Sequence, residues 1–532
     1  MDVFNVIFNV IIILLVSCLA ALYWFLKRRY HYWEKRGVPF PKPLPLIGNL
    51  SFLTRRSASD FFLELYKDYP GDVVGVYFGL KPALVIQSPE LARKVLVQDA
   101  AYFRDRHSYT GYSSDPLGSL NLFSVKEPIW SSVRHELSPM FTSSRLRMVC
   151  QLMNQNASAL VDKVQRDYVH SDKPLNVKEL FLMYTSDTVA YSVFGIRQSV
   201  LNDQPSPLWA ITNHMVQWTF RRGFEFSAIF FIPDLAKLLR LQFFSAAATE
   251  YVRKLFHGVV EERKATRKDS DKDLVNHLLK LKDNMKLPSG TDPGKVQKNT
   301  ILTLYIYTTI ETTFLHYGLS FAENVMMAQV AVFILASIET SSTTLYYCLH
   351  ELAYHPDVQE KLYNEINDAL TRKEKDILEY DDLLELKYMS ACIYETLRKH
   401  PPLPHLDRLC SQDYQLTESI TVERGTPVYI NVAAIHQNET VYPNPEEWQP
   451  ERNLPTSDGD HLQFSFLPFG EGPRFCIGKR YGLTQVRAAL AQLVHRFVLR
   501  PAGPYLVRSD PNSVILAPAD LTGVKFLPRT NN

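Results

Sequence analysis

Near its C-terminal end the chain reads Phe469-Gly470-Glu471-Gly472-Pro473-Arg474-Phe475-Cys476-Ile477-Gly478, a single cysteine in a glycine-punctuated turn with an arginine two residues before it. The segment from about Gly478 to Val498 is periodic and predicts an amphipathic helix. The thiol therefore sits at a helix N-terminus, where free N–H groups and the helix dipole favour thiolate. Gly472 and Gly478 let the backbone bend around the sulfur and approach a flat ligand closely. A thiolate held this way suits an iron ion. The commoner fate of one cysteine is burial in a core. Against it stand Phe469, Gly472, Arg474, Cys476 and Gly478 together, at the spacing F-x-x-G-x-R-x-C-x-G.

Other residues could do chemistry upstream. Trp130 and Arg134 are one helical turn apart, so an indole N–H and a guanidinium share a face and can bind a carboxylate. Glu339 and Thr340 lie in Ala336-Ser337-Ile338-Glu339-Thr340-Ser341-Ser342, inside an apolar helix predicted over Phe321 to about Tyr354. Polar neighbours there are costly unless satisfied, and a threonine can also bond back to the carbonyl one turn earlier. Glu395 and Arg398 have the i,i+3 spacing of a helical ion pair, which contributes little when exposed.

The positioning elements are set by periodicity and punctuation. Asp72 to Gln87 forms two β-branched and aromatic runs broken at Gly79-Leu80-Lys81, a hairpin. Pro89 to Gln98 turns helical, and Ala100 to Ile129 is expected to be a long loop. Helical periodicity dominates Leu146 to Lys282 without a chemical motif, and the aromatics of Phe220 to Pro233 suit a core. A further helix begins near Leu386 and ends before Pro401-Pro402.

Val3 to Leu26 carries no charged side chain and is long enough to cross a bilayer. Trp24-Phe25-Leu26 stand where a signal peptidase needs small residues, and Lys27-Arg28-Arg29 put the rest of the chain on the cytosolic side. A signal anchor is expected over 1–34 and one catalytic domain over 35–532. Prolines at 39, 41, 43 and 45 make the connector extended and semi-rigid. The chain has 532 residues, 58 basic and 56 acidic, a balance that argues against nucleic acid as a partner. Its six cysteines are scattered without a C-x-x-C pair, which suits a reducing compartment.

The cysteine loop resembles the haem-binding loop of the cytochrome P450 superfamily at every fixed position, and the other motifs occur in that family's order over almost the whole chain. The pattern is similar to a microsomal, insect-type detoxification member. That resemblance implies a mainly α fold with a smaller β region (α+β), a single N-terminal transmembrane helix, and haem b between the central helix and the helix after Cys476. It implies Cys476 as the iron ligand, with Trp130, Arg134, Arg408 and Arg474 on the two propionates and Phe469, Gly472 and Gly478 shaping the loop. Glu339 and Thr340 match the family's [AG]-G-x-[DE]-T-[TS] segment, where acid and alcohol hold the waters that deliver protons; Ser337 replaces the usual glycine. Glu395, Arg398 and, from Pro450-Glu451-Arg452-Asn453, Arg452 match a buried charge network, with Asn453 departing at a packing position and a weaker cover expected. Phe123, Ala336 and Leu403 would line the substrate cavity.

The activity implied is a monooxygenase acting on an apolar small molecule, xenobiotic or endogenous. Electrons would come from NADPH through NADPH-cytochrome P450 reductase, with cytochrome b5 as a second donor, at the endoplasmic reticulum membrane. Lys479, Arg480 and Arg487 offer a basic patch for the reductase, or simply a solvated helix face. Two rivals are a haem-thiolate isomerase, which needs no acid–alcohol pair, and a non-catalytic haem protein. Val296 to Gly318 has no counterpart in the family pattern. It is either a true insertion or an intron retained in the gene, since Gly294-Lys295 and Leu319-Ser320 would join into an ordinary family sequence.

Overall fold

A computed structural model describes residues 2–50, 57–169, 176–197, 199–266, 273–282, 321–454, 464–519 and 523–529. The 296–318 segment lies outside them. Helices dominate, and the small sheets gather beside them.

The anchor helix, Asp2–Tyr30, is apolar and exposed over most of its length, with Leu26 buried near its end and Lys27, Arg28 and Arg29 in its last turn. The boundary expected at residue 34 falls inside packed structure. Trp33 is 1 % exposed, its ring fills the space over Gly75, and its Nε1 donates to Val76 O at 3.0 Å. A Cβ on Gly75 would come within 2.4 Å of that ring.

Strand β1 (Val73–Phe78) pairs antiparallel with β2 (Lys81–Ile86), the expected hairpin. Strand β3 (His405–Leu409) comes next, then the short pair β4 (Tyr414–Gln415) and β5 (Thr421–Val422), and β6 (Pro427–Asn431). The main sheet runs β1-β2-β6-β3, with β6 parallel to β2 and antiparallel to β3, so Asp407 faces Tyr429 in register. Every residue of β6 is buried, as a central strand requires. Strands β7 (Phe497–Pro501) and β8 (Val524–Pro528) form a separate ribbon.

The central helix, Phe321–Tyr354, is apolar enough to span a bilayer, yet 72 % of its apolar window is buried, so it is a core element. It packs against the Val177–Phe194 helix and the proximal helix, Lys479–Arg496. Residues 100–129 are more ordered than expected. Pro116–Leu120 forms a short helix whose cap, Asp115, accepts from Gly118 N at 2.9 Å and Phe243 N at 2.6 Å. Gln329 of the central helix accepts from Leu122 N at 2.8 Å and donates to Leu120 O at 3.0 Å. Those bonds fix Leu122 and Phe123 over the central helix.

Candidate active site

A cavity of about 240 Å³ lies between the central and proximal helices. Its lining includes Cys476, Phe469 and Arg474 from the cysteine loop, Trp130 and Arg134 from the Ile129–Leu137 helix, and Arg408 from β3. Thr340, Ala336, Phe123 and Leu403 border it as well. Three expected site residues do not. Glu339, Gly472 and Gly478 stand outside the lining, each for its own reason.

Gly472 shapes the loop from outside. Its φ is +74°, and a Cβ would stand 1.7 Å from Leu96 O, so only glycine fits. Gly470, which sequence reasoning does not single out, also has a positive φ of +67°. Gly478 corrects the expectation of a bend: its φ of −86° suits any residue, and the nearest atom to an added Cβ is Cys476 Sγ at 3.9 Å. Cys476 N donates to Phe469 O at 2.8 Å, closing the loop. The sulfur faces the cavity, and the residue is exposed to that space although the loop packs closely around its base. Burial pushes the thiol above its ordinary value, against the Gly478 N–H and the charges of Arg134, Arg106 and Lys479. A cation at the sulfur would favour the thiolate further.

The cationic wall is larger than the sequence suggests. Arg106, hidden in a stretch of weak periodicity, also lines the cavity, stacks on Phe123 at 4.1 Å and pairs with Asp407 at 2.9 Å. Arg474 spreads its donors over Arg104 O at 2.6 Å, Val125 O at 3.0 Å and Asp105 at 3.1 Å, and lies 4.4 Å over the Trp130 ring. Arg408 is buried and donates to its own neighbour's carbonyl, Asp407 O, at 2.8 Å. Desolvation, with Arg106 and Arg474 close by, pulls Arg408 down to about 9. Arg134 stacks over Phe475 at 4.6 Å. Among the described residues neither Arg134 nor Arg408 meets a carboxylate, although Arg106 and Arg474 do. A buried guanidinium, Arg408, and a half-buried one, Arg134, neither of them paired with a carboxylate among the described residues, fit a dianionic ligand in this cavity.

Glu339 and Thr340 part company. Thr340 Oγ1 borders the cavity and donates to Ala336 O at 2.7 Å, the back-bond open to any helical threonine. Glu339 turns to the opposite side of the helix, where Lys178 Nζ meets Oε1 at 3.2 Å with both side chains buried. The second oxygen, Oε2, has no partner among the described residues, and Glu339 borders a separate polar cavity of about 320 Å³. Lys178 also donates to Ser342 Oγ at 2.9 Å and Thr343 Oγ1 at 2.5 Å. Burial lowers its pKa, and Glu339 opposes that shift. Sequence reasoning finds no motif in this region, because a lone lysine on an apolar helix carries no local signal. Ser337 borders a small third pocket and stands outside the lining of the main cavity.

The charge network below is complete. Arg398 meets Glu395 at 2.8 and 3.0 Å with both side chains at 0 % exposure, and Arg452 Nε lies 3.4 Å from Glu395. At Asn453, where a weaker cover is expected, the side chain is half-buried and polar. Its Nδ2 donates to Glu395 Oε2 at 3.1 Å, a polar partner in place of packing. Arg487 is buried and donates to Ser390 Oγ at 3.1 Å, so it cannot belong to an exposed basic patch.

A family model described as cytochrome P450 matches residues 38–526. Cytochrome P450 6k1 of Blattella germanica is 33 % identical over 530 residues, covering 98 % of this chain and 97 % of that protein. Probable cytochrome P450 6g2 of Drosophila melanogaster is 31 % identical over 522 residues, 95 % and 96 % of the two chains. Cytochrome P450 6a2 of the same fly is 33 % identical over 499 residues, 92 % and 93 %.

Proposed function

Since the chain belongs to the cytochrome P450 family and is a haem monooxygenase, we propose that it oxidises an apolar small molecule, xenobiotic or endogenous, with NADPH electrons delivered by NADPH-cytochrome P450 reductase and cytochrome b5. The anchor helix, with its basic flank, supports residence in the endoplasmic reticulum membrane with the body in the cytosol. The observation that carries the reading is the cavity into which Cys476 and the guanidiniums of Arg106, Arg134, Arg408 and Arg474 converge.

The residues present fit haem b. Cys476 Sγ would ligate the iron, and Arg134 and Arg408, which meet no carboxylate among the described residues, would take the propionates with Trp130 and Arg474 beside them. When bound, haem supplies the activation of dioxygen and the insertion of one oxygen atom. The chain supplies place and protons. Leu122, Phe123, Val332, Ala336 and Leu403 make an apolar wall that holds an uncharged substrate and excludes water. Thr340 presents its hydroxyl to this space. Glu339, held by Lys178, faces the separate polar cavity behind the helix, so of the acid–alcohol pair Thr340 is the member placed to direct a proton into this space.

The test is the carbon monoxide difference spectrum of the dithionite-reduced protein, then NADPH-dependent oxygen uptake with reductase. A strongly red-shifted Soret band that Cys476→Ala abolishes, with product formed, supports the reading. A normal haem spectrum without that band defeats it.

A further inference from the structure

One buried imidazole joins the charge network to the cysteine loop. His436, 1 % exposed, receives Arg398 Nη1 on its carbonyl at 2.8 Å, and its Nδ1 lies 2.9 Å from Arg398 O. Its Nε2 lies 2.9 Å from Leu467 N. Leu467 O in turn accepts Gly470 N at 3.0 Å, and Phe469 O accepts Cys476 N at 2.8 Å. A run of bonds therefore leads from the Glu395–Arg398 pair through one ring to the cysteine loop.

The chemistry of the partners fixes the ring's state. A backbone N–H can only donate, so Nε2 must accept; a carbonyl can only accept, so Nδ1 must carry the proton. Only the neutral Nδ1–H tautomer satisfies both. Burial and the Arg398 charge keep the ring neutral. The ring also stacks on Phe466 at 5.8 Å, one residue before the bonded Leu467.

We propose that His436 is a positioning residue for Cys476: it holds the start of the cysteine loop in register with the buried ion-pair core and so keeps the thiolate on the iron. This rests on the reading of Cys476 as the iron ligand. If that reading fails, the wild-type protein itself lacks the red-shifted band; if only the present inference fails, wild type and variants keep it alike.

The experiment compares full-length His436→Gln and His436→Met in the haem-loaded protein. The two side chains have similar length and bulk, but only glutamine can accept from Leu467 N–H while donating to Arg398 O. Haem per chain, thermal melting, and the rate at which the red-shifted band of the reduced carbon monoxide complex decays in mild denaturant are measured together. His436→Gln should decay at close to the wild-type rate. His436→Met should decay about fivefold faster, the equivalent of ~1 kcal/mol for one lost hydrogen bond, before the fold melts. A folded, fully loaded His436→Met that decays at the wild-type rate overturns the proposal. Should His436→Met fail to load haem, His436→Asn takes its place, since its amide reaches Arg398 O but falls short of Leu467. Fast decay there supports the proposal, and wild-type decay or failure of His436→Gln to differ from it overturns it.

Discussion

Glu339 and Thr340 are adjacent in the chain and look into different spaces, one charged and one apolar. Lys178 makes that arrangement tolerable, because a carboxylate buried without a partner is expensive. Lys178→Met should therefore destabilise the body by about 3–5 kcal/mol, and Lys178→Met with Glu339→Gln should recover most of the loss. Urea denaturation of the four proteins in the cycle measures both effects. The two partners lie 161 residues apart, which is why the pair is illegible in the sequence. The cysteine loop is legible because its fixed residues are close together and constrained by local geometry. Arg106 is not, since its partner Asp407 arrives from a distant strand, and His436 only acquires meaning once Arg398 and Leu467 are placed on either side of it.

At the scale of elements, the cysteine loop separates two glycines that look alike in the sequence. Gly472→Ala forces a Cβ onto Leu96 O at a positive φ, and should cost about 2 kcal/mol or more, with loss of haem-loaded protein. Gly478→Ala meets neither obstacle, and its effect on the stability of the protein without haem should stay within about 1 kcal/mol. Thermal melts with and without haem distinguish the two. The hairpin, the central helix and the proximal helix are readable from periodicity, with only their ends left loose. The 100–129 stretch looks like loop in the sequence because its order comes from outside it: Gln329 and Phe243 N supply the bonds that its own residues do not announce.

The molecule as a whole responds to acid through opposing groups. Burial lowers His107, His405 and His436 to about 3, 4 and 3, so the unfolded chain takes up their protons first and stability falls as pH drops below about 6.5. Asp115 and Asp187, raised to about 6 by burial, do the reverse: the folded state protonates first, and each regains stability as pH falls from about 6 to 4. Glu351, held at about 2 by His400 and Lys399 against its own burial, adds a loss below its ordinary range. His400 and His495, also lowered by burial, add to the histidine side, so stability declines between about pH 6 and 4 and more steeply beneath it, which urea midpoints taken at intervals from about pH 7 to 3 will show.

Removal of residues 2–26 should leave a folded, haem-loaded body, whereas removal of 2–34 takes Trp33 with it and should cost about 3–5 kcal/mol, read from the melting temperatures of the two truncations. The same tryptophan has a mechanical meaning. Tyr77 Oη donates to Tyr30 O at 2.9 Å and receives Trp33 N at 3.2 Å, so the last turn of the anchor is bolted to the hairpin before the prolines begin. A tethered enzyme would bob and roll on its bilayer like a moored float. This one is built with a keel: were that helix to lie in a bilayer, its tilt would set the waterline of the entire body, and with it the depth at which any lipid-dissolved molecule first meets protein.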